Sequence, residues 1–517
     1  MEGIKTLVSR VTLVQLGAAA AAVVSAEPIR QVLRDYRCWG TRTTFRWRIG
    51  LSSSMNGENS MASDIVYVQL PGVSFYIINS LDVAQELLNK RAKFNSDRRI
   101  GYMIMQLMGW NWSPAFINAD IVHGTERTMF RRGIGPTKMP LKDPLIERNA
   151  QQFVLDLQQL KGNPKETVTN IMGMTIIELA YGHGIVKDHG AEMIALNLEA
   201  IKLLDEALLT VWAVDLIPLR ESKLFMVLLI EPPSKVRFWP SWMPGGQFKR
   251  HGAYSKRLVD CIREWPFQMA VERHKAGTLD HCLADDLINE FGTPFEVQDT
   301  LANLYFAGVD TTSTVIIRFL HAMFLFPEIA KKIQAEIDSV IGRDRLPRVT
   351  DRADLPYTNA VWKESLRFNS AVPLAIPHSN RHDETINGYF IPKGSLINPN
   401  FGFMLSDPRI WGTQKSLDRS VSYHPRPASC RTLPSPSLDS DQESARECIF
   451  ADRAGFHMTA TTIALFNIDP LPGESVPLYT EVQYTKNVLR LPVKFDCMFT
   501  PRDGQAVHLL SSIALNQ

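Results

Sequence analysis

Thr293-Pro294-Phe295-Glu296 opens, and Phe326-Pro327 closes, the stretch whose reading decides the fold. Threonine followed three residues later by glutamate is a capping box, with proline at the first helical position. No breaker worse than Gly308 appears before Pro327. The spacing predicts a helix over 294–326, about 50 Å long at roughly 1.5 Å per residue. It is apolar nearly all round, so it belongs at the centre of the molecule. At its midpoint stands Ala307-Gly308-Val309-Asp310-Thr311-Thr312. Ala307 and Gly308 remove side-chain bulk there, which would let a flat ligand approach the backbone. Asp310 and Thr311 put a carboxylate and a hydroxyl at an otherwise apolar level, and helical threonines bond back to carbonyls one turn earlier. Plain packing relief with a local helix defect reads equally well from this string alone.

Outward from that element, a second helix runs from Pro327 to near Gly342, and a third carries Glu364 and Arg367. Three residues apart, these two share a helix face and can pair; taken alone, such a pair is a surface ion pair of little energetic weight. Upstream, Ile65–Val68 and Phe75–Ile78 are β-prone runs separated by Pro71-Gly72, a hairpin signal. Ser80 caps a helix expected through Lys90. Strand signals return near 386–397 and 491–499. A mainly α fold with small β-sheets follows.

A chain of 517 residues, 45% of them hydrophobic, can bury a large core. A net charge of +2 leaves no electrostatic footprint for nucleic acid. The six cysteines are scattered, which suits a reducing compartment and at most one chemical role. Val11–Ala26 is apolar, preceded by Lys5 and Arg10, and short for a spanning helix. A weak membrane anchor is the preferred reading; a cleaved signal and an internal helix stay open. Residues 1–60 therefore form an atypical N-terminal segment, and 61–517 the main domain. Two stretches, 220–237 and 416–445, break its texture sharply, as unspliced or shifted segments of a gene would.

Taken in order, Ala307–Thr312, Glu364-Ser365-Leu366-Arg367, Asn387–Gly394, and Leu405-Ser406-Asp407-Pro408 with Trp411 resemble the cytochrome P450 haem-thiolate monooxygenases. Phe94-Asn95-Ser96-Asp97-Arg98, Leu107–Trp110 and Pro240–Gly245 are most similar to fungal secondary-metabolism members. The resemblance runs from about Asp64 to Trp411 and from about Arg446 to Arg502. It implies the cytochrome P450 fold, with haem b held between two helices. It also implies dioxygen, electrons from NADPH through a membrane-bound cytochrome P450 reductase, and a lipophilic substrate of terpenoid or polyketide type. The implied location is the endoplasmic reticulum membrane, with the catalytic domain on the cytosolic side. In roles, Asp310 and Thr311 would relay protons, and Ala307 and Gly308 would border the cofactor. Glu364 and Arg367 would lock its proximal side, and Arg127 would pair with a haem propionate.

Three departures accompany the resemblance. The family's glycine-flanked cysteine loop is not intact: Arg446-Glu447-Cys448-Ile449-Phe450-Ala451-Asp452 keeps its Arg-x-Cys and the helix after it, without the glycines. Cys448 is the candidate iron ligand and Cys430 the runner-up, while Cys497 resembles an ordinary strand cysteine. The propionate-binding helix has Arg127 and Thr128 where the family places Trp and Arg. The proline-rich hinge before the first strand is replaced by residues 39–59. The alternative left open is a haem-free relic or binding protein of the same fold, encoded by a mis-spliced gene model.

Overall fold

The structure is a computed structural model that describes residues 63–209, 246–411 and 447–515, except 71–72, 119–120 and 369, together with 49–50, 212, 215 and 240–242. The N-terminal apolar stretch, both irregular segments and Cys430 lie outside the described residues. The longer helices are α1 (Ile121–Ile134), α2 (Asp143–Gln159), α3 (Lys165–Tyr181), α4 (His183–Leu208), α5 (Gln247–Lys275), α6 (Leu283–Phe291), α7 (Phe295–Leu325), α8 (Pro327–Val340), α9 (Pro356–Phe368), α10 (Glu447–Leu465) and α11 (Gly504–Leu515). α7 is the predicted central element and packs against α1, α3, α5, α6, α9 and α10, most extensively against α3.

One detail of α7 differs from expectation. The capping box does not form: Pro294 is itself the N-cap, extended at φ −72° and ψ 163°, with no side-chain cap. Its carbonyl accepts from the amides of Val297 (3.2 Å) and Gln298 (3.4 Å). The helix therefore starts one residue later than the sequence suggests, which moves Thr293 out of the capping position. At the far end Phe326 leaves helical geometry, and the chain bends by 104° into α8. α8 ends at the predicted place, with Gly342 at φ +86°. Among the described residues no single helix is long and apolar enough to cross a membrane.

Among the described residues ten strands make three small sheets. β1 (Ile49–Gly50), β2 (Ile65–Leu70), β3 (Val73–Ile78), β8 (Leu396–Pro399) and β5 (His378–Ser379) form one in that order. The expected hairpin is β2–β3, antiparallel with Ile65 opposite Ile78, and β8 joins β3 in parallel, Phe75 opposite Leu396. β6 (Glu384–Ile386) and β7 (Tyr389–Ile391) are a separate hairpin. Its two-residue turn, Asn387 (φ 48°) and Gly388 (φ 80°), is a left-handed pair that matches strand twist. β4 (Lys161–Gly162), β10 (Cys497–Pro501) and β9 (Phe466–Pro470) form the third. Ser80 accepts the amide of Val83 as expected, and Leu81–Gln85 continues to Lys90 as a π-helical turn.

α9 and α10 meet at a point of close approach. A β-carbon on Gly455 would stand 2.7 Å and 3.1 Å from two ring carbons of Trp362. The indole cannot yield easily, because its Nε1 donates to Asp452 (2.7 Å), which also accepts from Arg352 (2.6 Å). Gly455→Ala is expected to cost about 1–3 kcal/mol by overpacking, read as a lowered denaturant midpoint; an unchanged midpoint would refute this account of the contact.

Candidate active site

α7 is buried along most of its length and opens at its middle. Phe306, Val309, Thr312 and Ser313 are buried, Ala307, Gly308 and Asp310 are half-buried, and Thr311 is exposed. Accessibility at the midpoint of a helix with neighbours on so many sides leaves a cleft open at Thr311. The Thr311 hydroxyl donates to the Ala307 carbonyl at 2.7 Å, and that of Ser313 to Val309 at 2.6 Å, as expected for threonine and serine within a helix. The two small residues serve different neighbours. A β-carbon on Gly308 would meet Ile176 of α3 at 3.0 Å, so this glycine lets two helices close on each other. Ala307, one turn before Thr311, borders the cleft.

Asp310 has a raised pKa through burial, with Lys165 pulling the other way. Asp205, near the end of α4, is pushed up to about 7 by burial and then by the negative charge of Asp310. Two coupled carboxylates in a half-dry site hold a proton at neutral pH. The sign of the linkage is fixed. A carboxyl whose folded pKa is raised favours the folded state less as pH rises from about 4 to about 7, and no further change follows above that. Asp205→Asn is therefore expected to stabilise the protein at pH 8 and to leave it unchanged near about pH 4. Melting curves at the two pH values check this, and equal shifts at both would contradict it.

Behind α7, Glu364 and Arg367 are not the surface pair that their spacing alone suggests. Their side chains are 6% and 1% exposed. Arg367 Nε donates to Glu364 Oε2 at 2.8 Å, Nη2 donates to Oε1, and Nη1 donates to the Leu405 carbonyl. Its guanidinium lies 4.7 Å from the centre of the Trp411 ring. Asp407 accepts the Arg409 amide (2.9 Å), and Trp411 Nε1 donates to Met404 (3.0 Å). The Glu-x-x-Arg motif and the 405–411 segment, separate in sequence, are thus one buried unit.

A group missed by sequence reasoning is His378 on β5. It is buried at 3% exposure, and its Nδ1 has no hydrogen-bond partner among the described residues. Burial, then the Arg98 guanidinium, drive its pKa well below the usual value. Arg98 reaches across to the Ile376 carbonyl at 2.6 Å. A buried imidazole nitrogen beside a guanidinium suits a carboxylate. The only hint in the sequence was Pro377-His378 closing an apolar run. Arg127 sits half-buried on α1.

Cys448 is the second residue of α10, within its first turn. Three other cysteines are described, and burial raises each thiol: Cys261 modestly, Cys282 and Cys497 up to about 12. Burial of this kind favours the neutral thiol at these three positions. Cys497 is the ordinary β10 residue expected.

An accessible acid and alcohol on the central helix, a carboxylate cradle at His378 and Arg98, and a buried ion pair behind them fit a haem bearing propionates. The comparisons agree. The cytochrome P450 family model matches residues 50–415, and its match ends before Cys448. Cytochrome P450 monooxygenase COX2 of Coprinopsis cinerea is 27% identical over 452 residues, 85% of this chain and 83% of that protein. The tryptamine 4-monooxygenase of Psilocybe cyanescens is 26% identical over 468 residues, 87% and 88% of the two chains. A zebrafish cytochrome P450 solved with progesterone superposes with a TM-score of 0.65 at 16% identity, covering 85% of this chain and 96% of its own. The chain belongs to the cytochrome P450 family and has its fold, mainly α with small sheets. That family is one of haem-dependent monooxygenases.

Proposed function

We propose that this protein is a haem-thiolate monooxygenase that places one oxygen atom of dioxygen into a C–H bond of a lipophilic secondary metabolite. We further propose a terpenoid or polyketide substrate, and NADPH-derived electrons arriving through cytochrome P450 reductase. The working location is the endoplasmic reticulum membrane, with the catalytic domain on the cytosolic side. The observation that carries the reading is the accessible Asp310–Thr311 pair in an otherwise buried helix, backed by the buried Glu364–Arg367 unit.

Bound haem would supply the oxygen chemistry. His378 and Arg98 would hold its carboxylates, with Arg127 a further candidate, and Cys448 is the proposed sulfur donor. The chain's own contribution is proton handling. The Thr311 hydroxyl donates its one proton to the Ala307 carbonyl and stays accessible, so it can accept a hydrogen bond from a group in the cleft and give a proton there once that bond is released. Asp310 can restore that proton, drawing on the carboxylate pair it forms with Asp205. In the loop before α1, Met103, Met108 and Trp110 are fully buried, with the Trp110 ring 4.4 Å from that of Phe306. Only Met105 and Leu107 remain half-buried candidates for substrate contact.

A second reading has its own support. With Cys448 in the first turn of a helix and no glycines before it, a haem-free relic of the same fold is the rival. Turnover with reductase, NADPH and a panel of terpenoids and polyketides tests the proposal. One NADPH and one dioxygen consumed per oxygenated product is expected; product formed without oxygen uptake would indicate isomerisation or dehydration instead.

A further inference from the structure

Arg318 lies on α7 about two turns beyond Thr311, inside the core at 5% exposure. Its Nη1 donates to the carbonyls of Ser370 (2.6 Å) and Arg490 (3.0 Å). Nε and Nη2 are sealed from solvent and have no partner among the described residues. Burial pushes this guanidinium down to about 9, so it remains a cation at neutral pH. The ionisable groups acting on it are Tyr484, Arg490 and Tyr479, with no carboxylate among them. Arg490 adds a second positive charge, 4.5 Å from the centre of the Tyr484 ring, against 5.8 Å for Arg318.

His321 stands three residues on, on the same face of α7. It is buried, and burial together with Arg318 pushes it down to about 4, so it is neutral. Its Nε2 is also without a partner among the described residues. A small cavity lies between these groups, lined by Arg318, His321, Ser365, Phe368, Tyr479 and Tyr484, with room for one water-sized occupant. A buried cation is costly unless an opposite charge pairs with it. Water would fill the donors' lone-pair demand and leave that charge uncompensated.

We propose that this cavity is a binding site for a single monatomic halide, chloride under physiological conditions, held by Arg318 and His321. Its size excludes polyatomic anions such as sulfate, and the donor set contains no competing carboxylate. The halide binds the folded chain alone, because the cavity is built from α7, α9 and the 479–490 loop, which come together only on folding.

The test compares melting temperatures of the purified full-length protein in chloride, bromide, gluconate and sulfate at matched ionic strength. Chloride and bromide are expected to raise the melting temperature by about 2 °C or more over the other two. Arg318→Gln should abolish that difference. Bromide-soaked crystals of the unaltered protein decide the matter even if the variant does not fold, with an anomalous peak expected between Arg318 and His321. Equal melting in all four salts, a halide effect that survives Arg318→Gln, or bromide found as an adventitious ion only on the surface would overturn the proposal.

Discussion

Arg367→Ala is expected to destabilise the protein by about 3–5 kcal/mol, enough to remove most of the stability of an ordinary domain. The loss of one favourable contact does not produce that figure. Glu364 is buried and receives two hydrogen bonds from Arg367, so removing Arg367 takes both charge-assisted bonds from a buried carboxylate. The contacts of Arg367 with the Leu405 carbonyl and the face of Trp411 are lost at the same stroke. A buried pair is worth much less than the damage done by breaking it, because both charges were desolvated to form it. Glu364→Leu combined with Arg367→Met should therefore be less harmful than either single change. Denaturant titration of the three variants reads this directly. A double variant as unstable as the sum of the two single changes would show no coupling between these residues and would contradict this account.

Asp310→Asn is expected to lower product formation by about 10²-fold or more, the usual scale for losing a positioned proton donor. Asparagine keeps the size and hydrogen-bonding capacity of the side chain but cannot cycle a proton with Asp205. Thr311→Ala should behave differently. It removes the accessible hydroxyl and the bond to Ala307, so reducing equivalents should still be consumed while a smaller share reaches product. The ratio of product to NADPH consumed, measured for both variants beside the unaltered protein, separates the two roles. Unchanged coupling in Thr311→Ala would remove Thr311 from the proton path.

Much of this architecture was legible because its signals are local and periodic. The β2–β3 hairpin, α7, and the Gly342 stop each follow from turn chemistry or apolar spacing that no tertiary contact overrode. The misreadings have physical causes. Thr293 looked like a cap, but Pro294 took the extended conformation and the capping position with it. Gly308 read as either a ligand notch or packing relief, and a β-carbon there would meet Ile176, a neighbour that no spacing rule within α7 can reveal. Glu364 and Arg367 looked like a surface pair when considered alone, and in the fold they are buried with Arg367 reaching the Leu405 carbonyl. His378, Arg98 and Asp205 were invisible for the same reason: each gains its character from a residue far away in sequence.

The central claim is that a cysteine of this chain, Cys448 first, gives its thiolate to a haem iron beneath the Asp310–Thr311 cleft. The difference spectrum of dithionite-reduced protein with carbon monoxide measures that most directly, recorded beside Cys448→Ser and Cys430→Ser. A red-shifted thiolate-type Soret band in the unaltered protein, lost in Cys448→Ser and kept in Cys430→Ser, is the predicted result. Protein that carries no haem, or a band indifferent to both substitutions, would contradict it.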